Sequence, residues 1–133
     1  MENRTTPENI AKLKSNEIFV FGSNLSGRHG KGAAKQALTW GAKWGQPRGL
    51  QGYTYGIPTK NASITKTLSI DEIRPFVDEF IDFAKNNNHL VFLVTAIGCG
   101  LAGLHPKDVA PLFSDAVYID NIHLPSRFWH KIK

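Results

Sequence analysis

The sequence predicts a layered α/β fold built on a largely parallel or mixed sheet. Short apolar runs suited to strands alternate with segments of helical spacing, and that order implies such a sheet. Two of the runs, Glu17-Ile18-Phe19-Val20-Phe21 and Leu90-Val91-Phe92-Leu93-Val94, read as buried strands, the second as a central one. Each is followed by a glycine-rich segment and then by a helix signal. The chain has 133 residues, the size of one domain, and no linker or repeat divides it, so residues 1–133 are expected to form a single unit.

The elements follow in order. Thr6-Pro7-Glu8 has the form of a helix start and predicts a short helix to about Lys14. The first strand ends at Gly22. Residues 23–32 form a loop, and Ala33 to Leu38 has helix-forming composition that stops near Gly41. Another loop, 44–52, leads into a strand, Tyr53-Thr54-Tyr55-Gly56-Ile57, which Pro58 is expected to end. Residues 61–68 are polar and are expected to be exposed. Ser69 and Glu72 form a capping-box pattern. Ile70, Ile73, Val77, Phe80, Ile81 and Ala84 then recur at helical spacing to about Asn87, with Pro75 as either a kink or the true start. After the strand in 89–96 come the second glycine-rich loop, 97–103, a short helix from Pro106 to Phe113, and a final strand at Asn121–Leu124.

Composition narrows the function. A net charge of +5 suits an anionic ligand, nucleotide or nucleic acid, although solubility alone accounts for it equally well. The cationic residues form no block of the kind that marks nucleic-acid tails. One cysteine, Cys99, makes no internal disulfide, so a cytoplasmic setting fits best. The start, Met1-Glu2-Asn3-Arg4, leads into no apolar run, and no stretch is long and apolar enough to span a membrane. The histidines show no metal-ligand spacing, so neither metal nor cofactor is expected.

Two loops carry the chemistry. The first runs Gly22-Ser23-Asn24-Leu25-Ser26-Gly27-Arg28-His29-Gly30-Lys31-Gly32-Ala33-Ala34 between a strand and a helix. Unpaired amides and positive partial charge at such a turn suit phosphate, and glycines let the backbone approach it. Asn24 offers a donor and an acceptor to a ribose hydroxyl. Arg28 and Lys31 add charge. Gly27, Gly30 and Gly32 have the wrong intervals for a dinucleotide fingerprint, and the segment is not a Walker loop. The second loop, Thr95-Ala96-Ile97-Gly98-Cys99-Gly100-Leu101-Ala102-Gly103, has the same context. Two such loops at the carboxyl ends of strands can converge on one ligand.

At these loops the sequence resembles the macrodomain superfamily. Gly22-Ser23-Asn24 with Gly30-Lys31-Gly32-Ala33-Ala34 is similar to its first ligand loop, and Ile97-Gly98-Cys99-Gly100-Leu101 to the loop that wraps a diphosphate. The nearest likeness is to the terminal ADP-ribose protein glycohydrolase branch, where a tyrosine-rich strand also runs into Thr-Lys, as Tyr53 to Lys60 does here. The resemblance covers about residues 17–124. It implies a three-layer α/β/α macrodomain-like fold with a mixed sheet and a cleft for ADP-ribose or a related nucleotide. It implies Asn24 at the distal ribose, Gly30, Gly32 and Ala33 along the first loop, and Gly98, Cys99, Gly100 and Leu101 around the diphosphate. Small single-domain proteins of this kind occur in phage and bacteria.

Lys60 matches that branch's catalytic lysine, which attacks the anomeric carbon when its amine is neutral. The aspartate that follows Gly-Cys-Gly-Leu in the branch is Ala102 here, so the carboxylate acid/base is missing. Other candidates stand beside ordinary readings. His29 and His105 flank the loops as acid/base groups or as surface histidines. Cys99 is a nucleophile or, more simply, a small thiol lining a loop. Trp40, Trp44, Tyr53 and Tyr55 are base platforms or core anchors, the second being favoured. Binding, ADP-ribosyl hydrolysis and nucleic-acid recognition are thus the three functions the sequence leaves in play.

Overall fold

The computed structural model describes residues 4–132; Met1–Asn3, read above as leading into no apolar run, and Lys133 lie outside the described residues. The fold is mixed α/β. Five strands form one mixed sheet: β1 (Glu17–Asn24), β2 (Gly49–Gln51), β3 (Thr54–Lys60), β4 (Val91–Val94) and β5 (Ile122–His123), in the order β2-β3-β1-β4-β5. β1 runs parallel to β3 and β4, and β5 parallel to β4; only β2 is antiparallel.

β1 explains the layering. Ile18 and Val20 point into one apolar cluster, Phe19 and Phe21 into another, and all four are buried. Helix α1 (Gly32–Ala37) covers the Phe19/Phe21 face with Ala34 and Ala37. Helix α2 (Ile70–Lys85) covers the other face with Ile73, Val77, Phe80, Ile81 and Ala84. Phe80 is central there: its ring lies 5.1 Å from Tyr55, 5.5 Å from Phe92 and 6.3 Å from Phe113.

Both halves of the α2 capping box form, with Glu72 N–H donating to Ser69 Oγ and Ser69 N–H to Glu72 Oε1. Pro75 neither starts nor ends the helix. It lies exposed in the second turn and has no N–H to give the carbonyl of Asp71, a residue that is also on the solvent side. At the opposite end of the same helix, Asn121 Nδ2 donates to the carbonyls of Ala84, Asn87 and Leu90 at 3.0–3.2 Å. That amide fastens the end of α2 and the turn before β4 to the start of β5.

Four expectations need correction. Residues 6–14 form no helix. Thr6 N–H donates to Leu124 O and Leu124 N–H to Arg4 O, so the start of this segment runs as an extra strand-like edge beside β5. β3 passes through Pro58 to Lys60. β2 reaches only Gly56 and the Lys60–Thr67 bridge lies beyond Pro58, so at Pro58 β3 has a strand partner, β1, on one side alone, where a proline is tolerated. The loop after Trp44 contains β2. The helix from Pro106 is α-helical only to Val109 (α3) and continues as a kinked 3-10 segment to Tyr118. A further helix, α4 (Ser126–Trp129), follows β5. No described helix is long and apolar enough to cross a membrane.

The connections place the site. The chain leaves β1 toward α1 on one face of the sheet and leaves the adjacent β4 toward α3 on the other. Connections that part at neighbouring parallel strands open a crevice outside their carboxyl ends.

Candidate functional site

That crevice is a cleft of about 1180 Å³ along the carboxyl ends of β3, β1, β4 and β5. It is larger than the roughly 300–1,000 Å³ typical of small-ligand sites. Gly22, Ser23 and Asn24 come to it from the end of β1, and Gly30, Lys31, Gly32 and Ala33 from the start of α1. Ile97, Gly98, Cys99, Gly100 and Leu101 come from the loop after β4, and Lys60 from the end of β3.

The two glycine loops face each other closely. A Cβ on Gly22 would lie 3.5 Å from Gly98 N, and one on Gly32 would lie 3.3 Å from Leu101 Cδ1. Gly32 and Gly98 also hold left-handed backbone, with φ of +59° and +75°, which a side chain disfavours. Leu101, 66 % exposed, therefore reaches from one loop to the other.

Main-chain donors are in supply. Among the described residues, the N–H groups of Gly30, Lys31 and Gly32 in the first loop donate to no protein acceptor. The same holds for Gly98, Gly100, Leu101 and Ala102 in the second. The cleft is also electropositive: Arg28, Lys31, Lys60 and Arg127 line it against one carboxylate, Glu8. The Lys60 amine has no hydrogen bond or ion pair with another described residue.

Asn24 does something different from what its loop position implies. Its Oδ1 accepts from Arg28 N–H at 2.9 Å and from the Ser26 hydroxyl at 2.9 Å, and its Nδ2 donates to Arg28 O at 2.8 Å. The side chain closes the loop on itself, which leaves one amide hydrogen for anything else.

His29 is neither a surface residue nor a lining one. It is fully buried, with Nε2 3.1 Å from Gln46 O and its ring against Phe21, and Nδ1 has no partner. Walled off in this way, His29 does not reach the cleft and is not placed to act as acid or base on a ligand there. Its work is to hold the first loop on residues 44–47. Gly45 N–H donates to Gly27 O, and the Ser23 hydroxyl donates to Pro47 O, in support. This clamp fixes Trp44, 62 % exposed, at the cleft wall near Gly30. Trp40 instead packs on Phe19, and Tyr55 lies in the core.

His105 caps α3, its Nδ1 accepting from Lys107 N–H at 3.4 Å, and lies outside the cleft. Cys99 donates its thiol hydrogen to Ile97 O at 3.5 Å and makes no hydrogen bond with His105. Burial pushes its thiol up from the ordinary value, with Arg127 pulling the other way. At neutral pH it is a protonated, weak nucleophile. Alkylation with iodoacetamide is expected to be slower than that of a free cysteine at pH 7. Its rate is expected to keep rising beyond the pH where the free thiol levels off. A fast reaction at pH 7 would contradict the burial argument.

Sequence reasoning missed three lining groups: Thr6 and Glu8 from the extended N-terminal segment, Arg127 from α4, and Ile64 from the turn after β3. That turn is tied to both glycine loops. Arg28 Nη2 donates to Ala62 O at 2.9 Å, and Thr67 Oγ1 to Ala102 O at 2.6 Å. Ile64 has φ of +61°, the one non-glycine residue with positive φ among those described. For a β-branched residue this conformation costs about 1–2 kcal/mol. A signal for Arg127 was present: whatever follows a strand parallel to β4 must emerge at the same edge of the sheet. Comparison of the chain with known protein families, curated proteins and solved structures finds no match in any of the three.

Proposed function

We propose that the protein binds ADP-ribose, or a related phosphorylated nucleotide, in this cleft, and that its fold is macrodomain-like, with the sheet as the middle of three layers. The observation that carries the reading is the convergence of two loops with unpaired main-chain N–H groups on one cleft rich in cations. Amides that point at a diphosphate need no side chain, and charge-assisted bonds of this kind are among the stronger ones. The single half-buried thiol fits a reducing, cytoplasmic compartment.

Lys60 favours a second reading, hydrolysis of an ADP-ribosyl bond, because its amine lines the cleft without a partner. Ala102 supplies no carboxylate, and the one carboxylate among the described lining residues, Glu8, has no hydrogen bond or ion pair that ties it to Lys60. Attack by Lys60 would therefore need another group to protonate the leaving atom. Binding without turnover is the better-supported function.

Isothermal calorimetry with ADP-ribose tests it. Saturable micromolar binding is expected, persisting at 0.3 M salt. Absence of heat with ADP-ribose, NAD and ADP would overturn the reading. DNA or RNA binding that collapses with salt, and no nucleotide binding, would favour a nucleic-acid module instead. Release of ADP-ribose from modified protein, lost in Lys60→Ala, would establish the hydrolase.

A further inference from the structure

We propose that Ile64 is a specificity-determining residue: its side chain is the wall at the Lys60 end of the cleft and limits the group bound there to a bare terminal sugar. The inference rests on the nucleotide reading above and adds which nucleotides the cleft accepts.

The cleft has two ends. One lies beside β5, where the N-terminal segment pairs with Leu124 and where Arg127 emerges. The other lies beside β3, where Lys60 ends the strand. Residues 61–66 make a tight turn at that second end. Asn61 N–H donates to Lys66 O, Ile64 N–H to Asn61 O, and Asn61 Oδ1 accepts from the N–H groups of Thr65 and Lys66. The bridge between Lys60 and Thr67 closes the base of the turn, so its tip stays close to Lys60.

Within this turn the left-handed position is filled by isoleucine, although glycine or asparagine would adopt it with less strain. Strain that persists at a cleft wall points to a use for the side chain. Ile64 is half-buried and lines the cleft, as does Ala102 of the second glycine loop, whose carbonyl accepts from Thr67 Oγ1 at the base of the turn. The turn cannot swing aside freely, because Arg28 holds it to the first loop and Thr67 to the second. A branched apolar group on a tethered turn beside the strand end that carries Lys60 stands where it would meet a substituent on a sugar seated against that lysine, the placement the hydrolase reading gives the sugar.

ADP-ribose and NAD separate the possibilities, since NAD carries a nicotinamide ring on that sugar. Their dissociation constants are to be measured by calorimetry for the wild type, Ile64→Gly and Ile64→Ala, with thermal melts in parallel. The wild type is expected to prefer ADP-ribose by tenfold or more. Both variants are expected to reduce that preference at least fivefold, because both remove the wall. Their melting temperatures are expected to differ, Ile64→Gly being the higher, because only glycine relieves the backbone strain. A preference that follows side-chain size in both variants, whatever their stability, supports the wall. If the wild type binds ADP-ribose but its preference is absent, or is unchanged in whichever variant folds, the wall is overturned and nucleotide binding stands. If the wild type binds neither nucleotide, the wall is overturned, and if ADP gives no heat either, the proposed function falls with it.

Discussion

Phe80→Ala is expected to destabilise the protein by about 3–5 kcal/mol, the usual range for deleting a buried aromatic ring. The ring is fully buried and touches three others, each on a different element: Tyr55 on β3, Phe92 on β4 and Phe113 on the 3-10 segment after α3. Its loss would leave a hole where the helical layer meets the sheet, bounded by parts that cannot all move in together. Domains of this size are stable by only about 5–15 kcal/mol, so roughly a fifth or more of the total would go. Urea denaturation should show the midpoint falling while the slope stays the same. A loss below about 1 kcal/mol would mean that this layer is not the principal core.

Gly100→Val is expected to leave stability within about 0.5 kcal/mol of the wild type while weakening ADP-ribose binding at least tenfold. The two halves of this expectation have separate causes. A Cβ on Gly100 meets nothing within 4 Å, and its φ is not left-handed, so the fold has no reason to object. The same added bulk would stand beside the unpaired N–H groups of Gly100 and Leu101. Each bond from such a group to a charged oxygen is worth about 1.5–3 kcal/mol. Gly98→Val is the instructive contrast. Its φ is +75° and its Cβ would lie 3.0 Å from Leu104 Cδ1, so it should lose stability as well as affinity. Calorimetry and melting on both variants separate the effects. Unchanged affinity in Gly100→Val would show that the second loop does not hold the ligand.

The sequence was legible where the signals are local. β1 and α2 announce themselves through short-range apolar patterning, and Ser69 and Glu72 make the two bonds their spacing promises. The two glycine loops were also legible as a pair, since each follows a parallel strand and emerges on the same edge. What failed was set by distant partners. Thr6 looks like a helix cap, yet its N–H goes to Leu124, far along the chain. Pro58 looks like a strand end, but whether it is depends on how far β2 extends. His29 sits inside a ligand-type loop, and nothing nearby in sequence reveals that Gln46 O and Phe21 enclose it. Ile64 gave no warning, because residue identity argues against the backbone conformation it adopts.

The amide of Asn121, with its three carbonyl partners, also bears on how this molecule can change over time. It ties down the pole of the sheet away from the cleft, through residues of which none lines the cleft. Loop positions that pack against nothing, such as Gly100, can therefore change without loosening that pole, whereas a loop position that packs, such as Gly98, cannot.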